Sequence, residues 1–247
     1  MDRQTGGVDD ATRDAALALL ADGELRIEGR IVQASNATFL GTVGDGSDAR
    51  TCVYKPVRGE RPLDDFPDGT LGLRERAAFL LSDRCGWDLV PPTVLRQDGP
   101  YGPGMAQLWI DRDPAADIVA MVNGDDPRLR TMAIFDAMAN NADRKGGHIL
   151  PTTEGHVYGV DHGICFAAEL KLRTILWGWR GQALAEEELG RLRRTRTAVD
   201  GELGAELGTL LERSELRALR RRIDALLAAG CFPLPDPYRM VIPWPPF

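Results

Sequence analysis

Residues 140–166 read NNADRKGGHILPTTEGHVYGVDHGICF. Two short apolar runs, HIL and HVYGV, flank PTTEG, whose Pro, Thr and Gly favour a turn. The pattern predicts a tight hairpin, with Asp143 before its first strand and Asp161 after its second. Closing the hairpin brings Asp143, His148 and Asp161 into one neighbourhood. Two carboxylates and an imidazole converging at a strand end suit a divalent cation, or a general base beside one.

Working outward, the segment RTCVYKP (50–56) reads as a strand with one lysine, Lys55, in an apolar run. A lysine is costly to bury without a partner. Glu75 offers one, on a helix predicted over 70–86 with Thr70 as N-cap and Gly86 as its stop. Leu73, Ala77, Leu80 and Leu81 share a face of that helix. Further strands are expected at 24–32, 37–43, 91–99 and 105–111, and a first helix over 9–23, capped by Asp10 or Thr12 and stopped by Gly23. Residues 1 to about 10 read as frayed. After residue 112 the pattern turns helical, near 114–123, 126–141, 186–195 and 214–230. The tail CFPLPDPYRMVIPWPPF (231–247) is too rich in proline for regular structure and is expected to strap across a lobe surface. The organisation is an N-terminal helical extension (1–23), a β-rich lobe (24–112) and an α-rich lobe with the proline-rich tail (113–247), joined by a linker near Gln107–Asp113.

The chain has 247 residues and a formal charge of −7, which disfavours general nucleic-acid binding. The basic runs RLRRTR (191–196) and LRRRI (219–223) read as solvated helix faces. Four cysteines without CxxC spacing suggest neither a zinc site nor a disulfide framework. With no apolar leader or membrane-length run, the expectation is a cytoplasmic protein without stable membrane insertion.

A lysine on the third strand, a glutamate on the next helix, an aspartate in a loop and an aspartate–x–glycine after a hairpin together resemble the kinase constellation. The local words are most similar to the phosphatidylinositol 3- and 4-kinase-related family, of the bacterial type, over roughly residues 30–166. CVYKP resembles the lysine strand, AQLWID the hinge, NADRKGGHIL the catalytic loop and VYGVDHG the metal-binding segment. The resemblance implies an α+β, protein-kinase-like two-lobed fold, with a β-rich N-lobe containing one helix and an α-rich C-lobe. It implies ATP and Mg2+ or Mn2+ as cofactors, and transfer of the γ-phosphoryl group to a hydroxyl of a small-molecule, lipid or protein acceptor.

Carried over by residue, Lys55 contacts the nucleotide phosphates and is held by Glu75. Asp143 accepts or orients the proton of the attacking hydroxyl, and Arg144 neutralises developing charge. Asp161 binds the metal, and the backbone of Gln107, Leu108 and Trp109 reads the adenine edge. Two departures stand out. The second metal ligand, asparagine in the family, is His148 here, and imidazole shifts metal preference toward softer ions. The segment QASNATFLG (33–41) is no glycine-rich loop, so Ser35 and Asn36 would supply the phosphate contacts. These departures leave open a pseudokinase acting through a partner, and AMP transfer on the same fold. Trp177 and Trp179 fall where an acceptor-recognition segment would lie, or else pack as an aromatic pair in the core, and KLRT (171–174) reads as a solvated loop or as a site for an anionic substrate.

Overall fold

Strand β3 (Arg50–Pro56) sets the frame of the N-lobe. Its side chains alternate as a strand's must: Cys52, Tyr54 and Pro56 are buried, and Lys55 faces the other, more open side. The computed structural model describes residues 10–32 and 34–247. The expected frayed start therefore lies mostly outside the described residues, as does Gln33.

Five antiparallel strands form one sheet in the order β1-β2-β3-β5-β4. They are β1 (Leu25–Arg30), β2 (Phe39–Val43), β3, β4 (Thr93–Arg96) and β5 (Gly104–Leu108). Helix α1 (Asp10–Asp22) covers one face, with Leu20 packed among Leu25, Val43, Cys52 and Tyr54. Arg96 fixes the end of α1 by donating to the carbonyls of Leu20 and Gly23, both at 2.8 Å. The helix as described spans Asp10–Asp22, so Thr12 lies inside it and is not its cap.

Helix α2 (Leu71–Arg84) covers the opposite face, the one that carries Lys55. Gly72 lets it approach: a Cβ there would lie 3.3 Å from the Cβ of Met105, the residue paired with Lys55 across the sheet. Thr70 stands at the N-cap position but makes no capping bond. The orphan N–H groups of Leu71 and Gly72 are instead met by the Glu60 carboxylate, at 3.3 and 3.2 Å. At the other end Gly86, with φ of 66°, turns the chain away.

The C-lobe holds α3 (Ile118–Asn123), α4 (Pro127–Ala139), the hairpin β6 (Ile149–Pro151) and β7 (Val157–Gly159), and then α5 (Glu186–Asp200), α6 (Glu202–Leu207) and α7 (Arg213–Ala229). Helix α4 is the lobe's central element. Leu129, Met132, Phe135 and Met138 on it are fully buried, and Phe135 packs edge-on against both Trp87 and His162. One continuous apolar core runs from α2 through α4 to α7. A buried ion pair ties the lobes, Arg74 of α2 to Glu215 of α7 at 2.7 Å, and Arg74 also donates to Cys165 O at 3.1 Å.

The basic runs are mainly surface faces, with Arg193 paired to Glu186 and Arg196 to Asp224. Arg222 departs from that reading. It donates inward to Met138 O at 2.8 Å and Ala167 O at 3.1 Å, and burial lowers its pKa to about 10.

Candidate active site

The expected cluster forms at the hairpin. Lys55 Nζ lies 2.6 Å from Glu75 Oε1 and 2.7 Å from Asp161 Oδ1. Burial alone lowers an ammonium's pKa, but here the carboxylates of Asp161 and Glu75 outweigh it and hold Lys55 above its usual value. The facing charge of Lys55 keeps Asp161 ionised, well below the ordinary carboxylate range. Glu75 is buried, and its second oxygen accepts the His162 N–H at 2.9 Å. Thus α2, β3 and the turn after β7 are locked together by four side-chain and backbone groups. Asp161 has φ of 61°, a left-handed conformation that aspartate tolerates better than most residues.

His148 completes the arrangement on the other oxygen of Asp161. Its Nδ1–H donates to Asp143 O at 2.9 Å, since a carbonyl can only accept. Burial lowers the pKa of His148, opposed by the nearby Asp161 charge. Nε2 lies 3.3 Å from Asp161 Oδ2, a contact that either a proton or a bound cation on Nε2 makes favourable. With Nε2 unprotonated, the imidazole nitrogen and the carboxylate oxygen are two electron-pair donors that can share one cation. The donor set accordingly fits a divalent metal, with the tautomer fixed from behind by the loop carbonyl. Among the described residues no group of three or more His, Cys, Asp and Glu forms a full protein cage. Phosphate oxygens and water would have to complete the coordination, as is usual for Mg2+.

Asp143 is partly exposed and pairs with Lys145 Nζ at 2.8 Å. Its own N–H is anchored by Asn141 Oδ1 at 2.9 Å. Lys145 is thus a cation at the site that the motif reading passed over. It sat in plain view two residues after Asp143.

Arg144 does not face the cleft, which corrects the expected charge-neutralising role. The guanidinium is fully buried and all five of its N–H donors are taken. Nε and Nη2 bind Asp136, Nη1 donates to the carbonyls of His148 and Val160 at 3.1 and 3.0 Å, and Nη2 also donates to His162 Nε2 at 2.8 Å. Gly159 makes room: a Cβ there would lie 3.1 Å from Nη2. Because Nε2 of His162 accepts, its proton is on Nδ1, and burial keeps the ring neutral. Asp136 went unnoticed in the sequence, although a lone aspartate in TMAIFDAMA is the same kind of signal as Lys55 in its strand.

The hinge also needs correction. The N–H groups of Leu108 and Trp109 already donate to Pro92 O at 2.9 Å and Thr51 O at 3.0 Å, and Gln107 lies within the β3–β5 ladder. The Gln107 side chain is buried on Thr93 Oγ1 at 2.8 Å. The N–H groups of Leu108 and Trp109 are therefore engaged within the protein and are not open donors for an adenine edge. In the β1–β2 connection, Asn36 Oδ1 accepts the Arg61 N–H at 2.9 Å, so it braces that loop, and Ser35 is exposed beside it. Asn140 and Asn141 are fully buried; Asn140 donates to Ala167 O and Glu169 O, tying the loop to the segment after Asp161. Trp179 is core, and Trp177 stands at the surface of a cavity.

The Arg144–Asp136 pair yields a direct test. Asp136→Ala strands a buried guanidinium, and losing one partner of a buried pair costs roughly 3–5 kcal/mol. Urea unfolding should show a loss of that size, whereas a loss under about 1 kcal/mol would mean that the loop does not depend on the pair.

No family model matches the chain. Among solved structures, the Golgi casein kinase with Mn/ADP bound aligns with a TM-score of 0.63 at 15% identity, covering 90% of this chain and 76% of that one. A hydra Fam20 structure with sugar aligns with a TM-score of 0.61 at 19% identity, covering 90% and 89%. Likeness at this identity establishes the fold, which is kinase-like, α+β and two-lobed. The Mycobacterium tuberculosis protein Rv2133c is 46% identical over 270 residues, spanning 95% of this chain and 96% of its own length. The chain therefore belongs to the same family as Rv2133c, a family with a kinase-like fold.

Proposed function

We propose that the protein is an ATP-dependent phosphotransferase that moves the γ-phosphoryl group to a hydroxyl acceptor. The observation that carries this reading is the Lys55 ammonium bonded at once to Glu75 and Asp161, with His148 on the far oxygen of Asp161. In this reading Lys55 binds the α- and β-phosphates and Glu75 keeps it aimed. Asp161 and His148 hold Mg2+ or Mn2+, which supplies charge neutralisation along the phosphates. The Mn/ADP held by the Golgi casein kinase supports that choice of ligands.

The acceptor O–H gives its proton to Asp143 as its oxygen bonds to the γ-phosphorus. The bond from that phosphorus to the β–γ bridging oxygen breaks, and ADP leaves with the electron pair. Lys145 lies beside Asp143 and supplies positive charge for the transferring group. Arg144 acts as a positioning residue through the loop. The adenine edge is read by Ile110–Arg112, whose N–H groups make no protein hydrogen bond among the described residues. Ser35 remains the candidate phosphate contact of the β1–β2 loop.

The phosphatidylinositol-kinase resemblance contributes machinery to this reading and leaves the acceptor open. No helix among the described residues is long and apolar enough to cross a membrane. A cytoplasmic setting belongs to the proposal, and the four unpaired cysteines are consistent with a reducing compartment.

Asp143→Asn should keep nucleotide affinity while ATP consumption falls about 10²–10⁴-fold, the usual contribution of a positioned base. Unchanged turnover in a coupled ADP assay would remove Asp143 from the chemistry. His148→Asn should shift preference from Mn2+ toward Mg2+, read as the ratio of activities in the two metals. An unaltered ratio would place the imidazole outside the coordination sphere.

A further inference from the structure

The segment after the aspartate turn and the proline-rich tail enclose a cavity of about 470 Å3. That volume lies within the range of small-molecule sites. One wall is Leu170–Arg173 with Trp177, and the other runs from Pro233 to Val241. A single oxygen joins them: Val241 O accepts from Thr174 N–H and from Trp177 Nε1–H, both at 3.0 Å.

The inner wall is also part of the catalytic-loop frame. Arg173 N–H donates to Asn141 O at 2.9 Å, and Arg144 N–H donates to Arg173 O at 3.0 Å. The wall is thus bonded to the chain on both sides of Asp143. The tail then returns to the same loop. Gly146 N–H donates to Pro246 O at 2.8 Å, and the Phe247 ring lies where a side chain at Gly146 would collide with it.

The lining is apolar around Leu172, Trp177, Leu234 and Met240, with three cations, Lys171, Arg173 and Arg239, against one carboxylate, Asp236. Two of the cations are answered: Lys171 by Asp65 at 2.6 Å and Arg239 by Asp236 at 3.5 Å. The half-buried Arg173 side chain has no ion-pair or hydrogen-bond partner among the described residues. In a chain of net charge −7, such a guanidinium in a mainly apolar cavity stands out. Its forked donors match a phosphate or carboxylate, and the surrounding wall matches an apolar body.

We propose that this cavity is the acceptor subsite and takes a small, soluble amphiphilic alcohol carrying an anionic group, with Arg173 as the anchor of the anion. Calling the ligand the acceptor rests on the phosphotransferase reading. The selectivity for an anion joined to an apolar body is a property of the cavity alone.

The test is calorimetric titration of the full chain with hexyl phosphate, inorganic phosphate and hexanol, with and without a saturating non-hydrolysable ATP analogue and Mg2+. Hexyl phosphate should bind at least about tenfold more tightly than either fragment, because charge-assisted bonds and apolar burial each contribute. Arg173→Gln and, separately, Met240→Asp should each weaken it about tenfold in proteins whose melting is unchanged. Two results overturn the proposal: inorganic phosphate binding as tightly as its hexyl ester, or both variants binding hexyl phosphate like the wild type. Binding only to anionic vesicles, with no binding of free hexyl phosphate, also overturns it by moving the ligand to a bilayer surface. Selective hexyl phosphate binding in a protein that never binds the nucleotide analogue would overturn the kinase reading and leave the cavity's selectivity standing.

Discussion

Arg144 brings five N–H donors into a fully buried position, and the surrounding chain is arranged to satisfy each of them. Asp136 answers the charge from the last turn of α4. Two carbonyls, of His148 and Val160, come from the two sides of the hairpin, and His162 closes the set. One side chain therefore fixes the distance between the loop that carries Asp143 and the turn that carries Asp161. Asp136 also accepts from Asn141 Nδ2 at 2.9 Å, and Asn141 in turn holds the N–H of Asp143. The rigidity that phosphoryl transfer would need is supplied from behind, by groups buried away from the cleft.

On the cleft side, the division of Asp161 is the central feature. One oxygen faces an ammonium and the other faces an imidazole nitrogen. The first contact is satisfied within the protein, and the second is open to a proton or a metal ion. Glu75 couples this to the N-lobe by holding Lys55 with one oxygen and the His162 amide with the other. Any movement of α2 relative to the hairpin must break bonds at both ends of that carboxylate. The buried Arg74–Glu215 pair extends the same coupling to α7.

Much of this was legible in the chain. Lys55, Glu75, His148 and Asp161 announce themselves by residue type and order, because their partners lie at strand ends or on an adjacent helix. That the hinge's N–H groups are engaged was not legible, because motif reading does not fix strand register. Only the pairing of β5 with β3, together with its bond to Pro92, shows that the N–H groups of Leu108 and Trp109 are already engaged. Arg144 was read as functional for its position beside Asp143, and its direction could not be known without Asp136, eight residues away on another element. Thr70 had the right residue type for a cap, but the long side chain of Glu60 reached the helix end instead. The tail's course over Gly146 depends on one backbone bond and one ring, which leave no periodic trace.

The central claim is that the two halves of Asp161 serve Lys55 and a metal-bound nucleotide. The most direct measurement is calorimetric binding of a non-hydrolysable ATP analogue to the wild-type chain with Mg2+, with Mn2+ and without metal. Binding should be micromolar, about −8 kcal/mol, and should require either metal. Equal affinity with and without metal, or no binding under any of the three conditions, would contradict that claim.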